Sequence, residues 1–178
     1  MMKWTLFLDR DGVINDRVWG GYVRSVEEFN FLPRVLEAIA LLSNSFERIF
    51  VVTNQQGVAK GLMGERNLSD IHRFMCDEIE KTGGKITACY AAMELKSDPA
   101  STRKPLPAMA LQAQKDFPEV DFQYAVMVGD TDSDILFGKN LGMKTVRVKT
   151  EEPIGVEADH TVNDLYEFAI LWQQNTSH

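Results

Sequence analysis

Trp4-Thr5-Leu6-Phe7-Leu8-Asp9-Arg10-Asp11-Gly12 is a short apolar run of strand length, halted by an acidic turn that glycine closes. Four more such runs follow, at Ile49–Val52, Ile86–Ala92, Tyr124–Val128 and Thr145–Val148. Between them the apolar residues change period. Leu32, Leu36, Ile39 and Leu42 recur at helical spacing after Pro33, which suits a first-turn position. Leu68, Ile71, Met75 and Ile79 mark a second helix, closed by Gly83-Gly84. Helices are also predicted over Pro107–Phe117 and Asp132–Asn140, and a last one carries Leu165, Phe168, Ala169 and Trp172. Alternating strands and helices with short connections predict an α/β, three-layer Rossmann-like fold with a parallel sheet covered on both faces. The near-continuous apolarity of the strands agrees, because such strands are buried on both sides. Ligands of such sheets bind beyond the carboxyl ends of the strands, so the residues just after each strand are where chemistry belongs.

The 178 residues predict one domain spanning 1–178, with a full core. Lys and Arg number 19 against 26 Asp and Glu, a net charge of −7. That balance disfavours nucleic acid and anionic membranes as partners, but leaves room for a small anionic substrate held by a few local cations or a metal. No apolar run approaches a membrane span, and Met1-Met2-Lys3-Trp4 does not read as a signal peptide. The two cysteines, Cys76 and Cys89, lie in apolar patterns and form no CxxC, so they read as buried thiols and the chain as cytoplasmic.

Asp9 and Asp11 follow the first strand, Thr53 and Asn54 the second, and Asp130, Asp132 and Asp134 the fourth. Arg103-Lys104 precedes the helix that leads into the fourth strand. Carboxylates gathered at one rim repel each other unless a cation joins them. Oxygen-only ligands imply a hard metal, Mg²⁺ before others, leaving Lys104 and Thr53 to hold a phosphate. Taken singly, Asp132 and Asp134 read equally well as capping or solvated residues. A calcium loop fails at Ile135 and Leu141, where glycine and glutamate are needed. Ser–His–Asp hydrolysis has little support, since none of His72, His160 and His178 follows a strand-end nucleophile motif.

Four strings in this order resemble the haloacid dehalogenase-like hydrolase superfamily: Phe7-Leu8-Asp9-Arg10-Asp11-Gly12-Val13-Ile14-Asn15, Val51-Val52-Thr53-Asn54-Gln55, Arg103-Lys104-Pro105 and Val128-Gly129-Asp130-Thr131-Asp132-Ser133-Asp134. Together with Gly21-Tyr22-Val23 and Gln56–Gly61, they look like its histidinol-phosphatase and D,D-heptose 1,7-bisphosphate phosphatase group. The resemblance implies a phosphatase in which Asp9 is the nucleophile and forms an aspartyl-phosphate. Asp11 protonates the leaving alcohol and then takes a proton from water. Mg²⁺ is held by the Asp9 carboxylate, the Asp11 carbonyl and Asp130, with Asp134 behind them or on a metal-bound water; a place on the helix face is the competing reading for Asp134. Thr53 and the backbone N–H groups near Gly12 and Asn54 bind the phosphoryl oxygens, and Lys104 neutralises charge in the transition state. As a rim cation, Lys104 is expected to be removable without harm to folding.

Arg10, Lys60 and Arg103 are candidate substrate contacts at the rim. Trp19 and Tyr22 belong to the segment that forms a flap in this superfamily, with core packing the competing reading for Trp19. The relatives' zinc loop before the third string is replaced by residues 91–102, without Cys or His, so no zinc is expected. Only 41 residues separate Asp11 from Thr53 and 50 separate Thr53 from Lys104, too few for a separate cap domain. The sequence leaves the leaving group and the oligomeric state open. A phosphotransferase or nucleotide phosphatase, and a non-catalytic phosphate-binding regulatory protein, are the competing readings of the same scaffold.

Overall fold

The computed structural model describes residues 3–176; Met1, Met2, Ser177 and His178 lie outside them. Six parallel strands form one sheet in the order β3-β2-β1-β4-β5-β6: β1 Thr5–Leu8, β2 Arg48–Asn54, β3 Ala88–Ala92, β4 Ala125–Gly129, β5 Lys144–Val148 and β6 His160–Val162. The helices are α1 Val35–Ser43, α2 Glu65–Lys81, α3 Ala108–Asp116, α4 Asp132–Asn140 and α5 Leu165–Thr176. Among the described residues no separate cap domain interrupts this order, and no helix is long and apolar enough to cross a membrane.

Strand alternation divides the core into two layers. Leu6 and Leu8 join Ile39 of α1, Ile71 and Met75 of α2 and Phe168 of α5. Phe7 and Phe50 face the other way, onto Met109, Ala110 and Ala113 of α3 and Phe137 of α4. Each fully buried Leu, Ile, Phe or Met among them contributes about 1.5–3 kcal/mol to the drive for folding.

Three local readings change. β6 went unread because three residues, two of them exposed, carry no apolar run; they pair only at the sheet edge. Pro33 lies before α1 rather than in its first turn. Arg34 is the N-cap, at φ 60, where its guanidinium stacks over Tyr166 and pairs with Glu37. The cysteines are only partly buried, because β3 is the sheet edge; their sulfurs are free thiols 3.9 Å apart.

Register puts the chemistry at one end. Leu8 lies between Val51 and Val128, so Asp9 emerges at the carboxyl end of the two central strand junctions. The Asp9 N–H donates to Val128 O at 2.9 Å, which carries the ladder one residue past the strand. β2 runs on through Thr53 and Asn54, so both are strand residues rather than loop residues.

Candidate active site

Asp9, Asp11, Asn54, Lys104 and Asp130 line one cavity of about 560 Å³ at the carboxyl ends of the strands. Its floor is a charge cluster. Lys104 Nζ donates to Asp9 Oδ1 at 2.8 Å and to Val52 O at 2.7 Å, and pairs with Asp134 Oδ1 at 2.6 Å. Oxygens of Asp9, Asp130 and Asp134 lie within 4.8 Å of one another.

Lys104 is therefore no rim cation. It is 3% exposed and compensates buried acids, which overturns the expectation that its loss leaves folding intact. Burial opposes its charge, but Asp134 and then Asp9 outweigh burial and hold the ammonium above its ordinary value. Asp9 moves the other way from an ordinary carboxyl. Burial and then the Asp134 charge push it well up, with Lys104 opposing. Burial and Asp134 push Asp130 up to about 6, against the pull of Arg17.

A cation fits this floor. Asp130 Oδ1 is buried and has no hydrogen-bond partner, and the donor atoms gathered around it are all carboxylate oxygens. That donor chemistry suits Mg²⁺. Asp134 contributes differently from Asp9 and Asp130. Its Oδ2 accepts from the N–H groups of Asp130 and Thr131 and from Thr131 Oγ1, so both its oxygens are engaged in holding Lys104 and the turn into α4. A side chain on Gly129 would collide with it, which fixes glycine there.

Asp11 is oriented by three donors. Arg10 (3.0 Å) and Asn15 (2.9 Å) reach Oδ1, and Gln55 (2.8 Å) reaches Oδ2. Burial raises its pKa, but the Arg10 charge and these bonds together leave the carboxyl below its ordinary value. Arg10 is thus not the rim contact expected of it. Its guanidinium is fully buried, with one arm on Asp11 and the other donating to His72 Nε2 at 3.1 Å. The first-strand turn directs this side chain beneath the loop, away from the cavity. Burial, then the Arg10 charge, hold His72 down to about 3.

Gly12 adopts φ 87, and a Cβ there would meet the Asp130 carboxylate at 2.5 Å. Its N–H donates to Asn15 O, so Gly12 serves the turn and the close approach of Asp130. Thr53 Oγ1 is buried and accepts from Gln55 Nε2. The Asn54 side chain exchanges two hydrogen bonds with the Lys104 backbone, pinning the third string to the end of β2.

Arg103 and Lys60 reach the cavity as expected. Arg103 NH1 is buried without a partner, while Lys60 Nζ contacts Tyr22 OH at 3.2 Å. Tyr22 lines the cavity; Trp19 does not pack on the core, being 50% exposed and stacked with Arg17.

Sequence reasoning missed Arg17, Gln55 and Glu152. Arg17 pairs with Asp130 Oδ2 at 3.1 Å and with Glu152 at 2.6 Å, tying the flap to the loop after β5. Nothing in its local sequence marks Arg17; only the fold brings it across to the fourth string. Gln55 carried a signal, standing within the second string. Asp132 turns out to clamp that same loop through Arg147 and the N–H groups of Gly155 and Val156.

The chain is similar to known proteins in sequence and in fold. Residues 101–168 match the family model described as HAD-hyrolase-like. The chain is 35% identical over 173 residues to a D-glycero-alpha-D-manno-heptose-1,7-bisphosphate 7-phosphatase of Mycobacterium bovis, covering 94% of this chain and 90% of that protein. It is 33% identical over 180 residues to a D-glycero-D-manno-heptose-1,7-bisphosphate 7-phosphatase of Chlorobaculum tepidum, covering 91% and 90%. Among solved structures, a D,D-heptose 1,7-bisphosphate phosphatase from B. bronchiseptica, complexed with magnesium and phosphate, superimposes with a TM-score of 0.87 at 29% identity, covering 98% of this chain and 100% of that one.

Proposed function

The chain belongs to the haloacid dehalogenase-like hydrolases, in the heptose-bisphosphate phosphatase group, and from that premise we propose that it is a Mg²⁺-dependent phosphatase acting on a sugar bisphosphate of the heptose 1,7-bisphosphate type through an aspartyl-phosphate. The observation that carries this reading is the buried Asp9 carboxylate, held by Lys104 on the floor of a cavity that Arg103 and Lys60 also line.

Lys104 fixes one oxygen of Asp9, leaving the other to attack phosphorus. Asp11, held below the ordinary carboxyl value in the free protein, takes up a proton as the substrate phosphate arrives, gives it to the departing sugar oxygen and later takes one from the water that hydrolyses the acyl-phosphate, a service worth about 10²–10⁴ in rate. Arg10, Asn15 and Gln55 hold it in place for both steps. Asp9 and Asp130, with the Asp11 carbonyl, would hold Mg²⁺, which when bound offsets the repulsion between Asp9 and an incoming phosphate. Lys104 adds a positive charge beside the transferring group. Thr53 and the Asn54 backbone are assigned to the phosphoryl oxygens. Arg103 and Lys60 are assigned to the remainder of the substrate, where a guanidinium fork or an ammonium suits a second phosphate or sugar hydroxyls.

Residues 91–102 supply no thiolate or imidazole, so the loop is assigned no zinc; Thr102 Oγ1 bonded to Glu94 closes it instead. Elemental analysis of protein purified without added metal should find none near stoichiometric, and one zinc per chain overturns that assignment.

A panel of heptose 1,7-bisphosphates, other sugar phosphates, histidinol phosphate and mononucleotides, assayed with Mg²⁺, tests the whole reading. We expect kcat/KM highest for a heptose bisphosphate, with release of its C7 phosphate. A preference of about tenfold or more for a mononucleotide or for histidinol phosphate refutes the substrate assignment.

A further inference from the structure

Cys76 and Cys89 take no part in the site just described, yet they touch. Cys76 lies on α2 and Cys89 on β3, and their sulfurs stand 3.9 Å apart, within reach of an S–H···S hydrogen bond. Both are partly buried at the sheet edge, since β3 has a neighbour on one side only. We propose that Cys76 and Cys89 form a redox-active dithiol, which a small hydroperoxide converts reversibly to an intramolecular disulfide joining α2 to β3.

The contact makes the pair unequal. When one thiol ionises, the other donates its S–H to the thiolate. This bond holds Cys76 below its ordinary value and pushes Cys89 up, with burial raising Cys89 further. The thiolate is the reacting form, so Cys76 attacks and Cys89 resolves. In the first step the Cys76 thiolate attacks one peroxide oxygen. The O–O bond breaks, Cys76 becomes a sulfenic acid, and the alkoxide or hydroxide that leaves takes up a proton. In the second step the Cys89 sulfur attacks the Cys76 sulfur. The S–S bond forms, the S–O bond breaks, and the hydroxyl leaves as water with the proton from Cys89. Two thiols are oxidised and one peroxide is reduced. Close contact between the sulfurs favours the second step over further oxidation of the sulfenic acid.

Reduced full-length protein treated with hydrogen peroxide, then denatured with iodoacetamide, tests this. The intact mass should fall by about 2 Da with no alkylation, and dithiothreitol should restore two alkylatable thiols. In Cys89→Ser, Cys76 should stop at a sulfenic acid that dimedone captures. In Cys76→Ser, Cys89 should react at least about tenfold more slowly than Cys76 does in the other variant. Survival of both thiols at a peroxide dose that fully oxidises free cysteine overturns the proposal. So does loss of thiols only through dimers between chains, or an equal rate for the two single variants. None of these readouts depends on phosphatase activity.

Discussion

Replacing Lys104 by Met tests the reading of the site floor most directly. The lysine is 3% exposed, with its ammonium 2.8 Å from Asp9 and 2.6 Å from Asp134. Methionine keeps most of the volume and removes the charge. Taking away one partner of a buried ion pair costs about 3–5 kcal/mol, because the other charge is left without compensation. That is a large share of the roughly 5–15 kcal/mol that stabilises a domain. The loss should depend on pH, and the sign follows from linkage. The wild-type lysine is held above its ordinary 10.5, so its contribution is fully present below that value and is constant between pH 5 and 8. In the variant, Asp9, already raised in wild type, loses the opposing Lys104 charge, is raised further and holds a proton in the folded state that the unfolded chain has released. Each such proton makes stability fall by about 1.4 kcal/mol per pH unit as pH rises. Urea unfolding in EDTA, followed by circular dichroism at pH 5 and pH 8, should therefore show a gap to wild type that is widest at pH 8. Under conditions where the variant remains folded, kcat should be lower by about 10²-fold or more across all substrates. A variant within about 1 kcal/mol of wild type at pH 8, or one whose gap is the same at both pH values, refutes the role assigned to the lysine.

Four other outcomes are expected. EDTA should abolish phosphatase activity and Mg²⁺ restore it; full activity in rigorously metal-free protein rules out the cation site at Asp9 and Asp130. Asp9→Asn should leave essentially no turnover, whereas Asp11→Asn should lose far more activity on an alkyl than on an aryl phosphate, because a good leaving group needs the acid least; equal losses on both remove Asp11 as general acid. Arg103→Ala should raise KM mainly for substrates with a second phosphate or several hydroxyls, and a uniform drop in kcat moves Arg103 into the phosphoryl-binding set. Neutral His72, held down from 6.5 to about 3, contributes stability that is present above 6.5 and lost as pH falls toward 3. Between pH 7 and 5 wild type should lose up to about 2 kcal/mol that His72→Gln retains, and parallel unfolding curves for the two exclude a buried neutral imidazole.

The order of apolar runs and helical periods determined the parallel α/β fold, because strands buried on both faces and amphipathic helices carry their environment in their own residues. It also placed Asp9, Asp11, Thr53, Lys104 and Asp130 at one rim, since parallel strands all deliver their carboxyl ends to the same side. Distances across the sheet are a different matter. Whether Lys104 stands at the rim or buried against Asp9 and Asp134, and whether Arg10 points into the cavity or under it to His72, depends on side-chain direction after a strand ends, where no periodicity holds. Arg17 reaches Asp130 across 113 positions, and Cys76 meets Cys89 because a helix packs on an edge strand. Such pairs leave no local trace: each residue is compatible with many surroundings, and only the packed chain selects one.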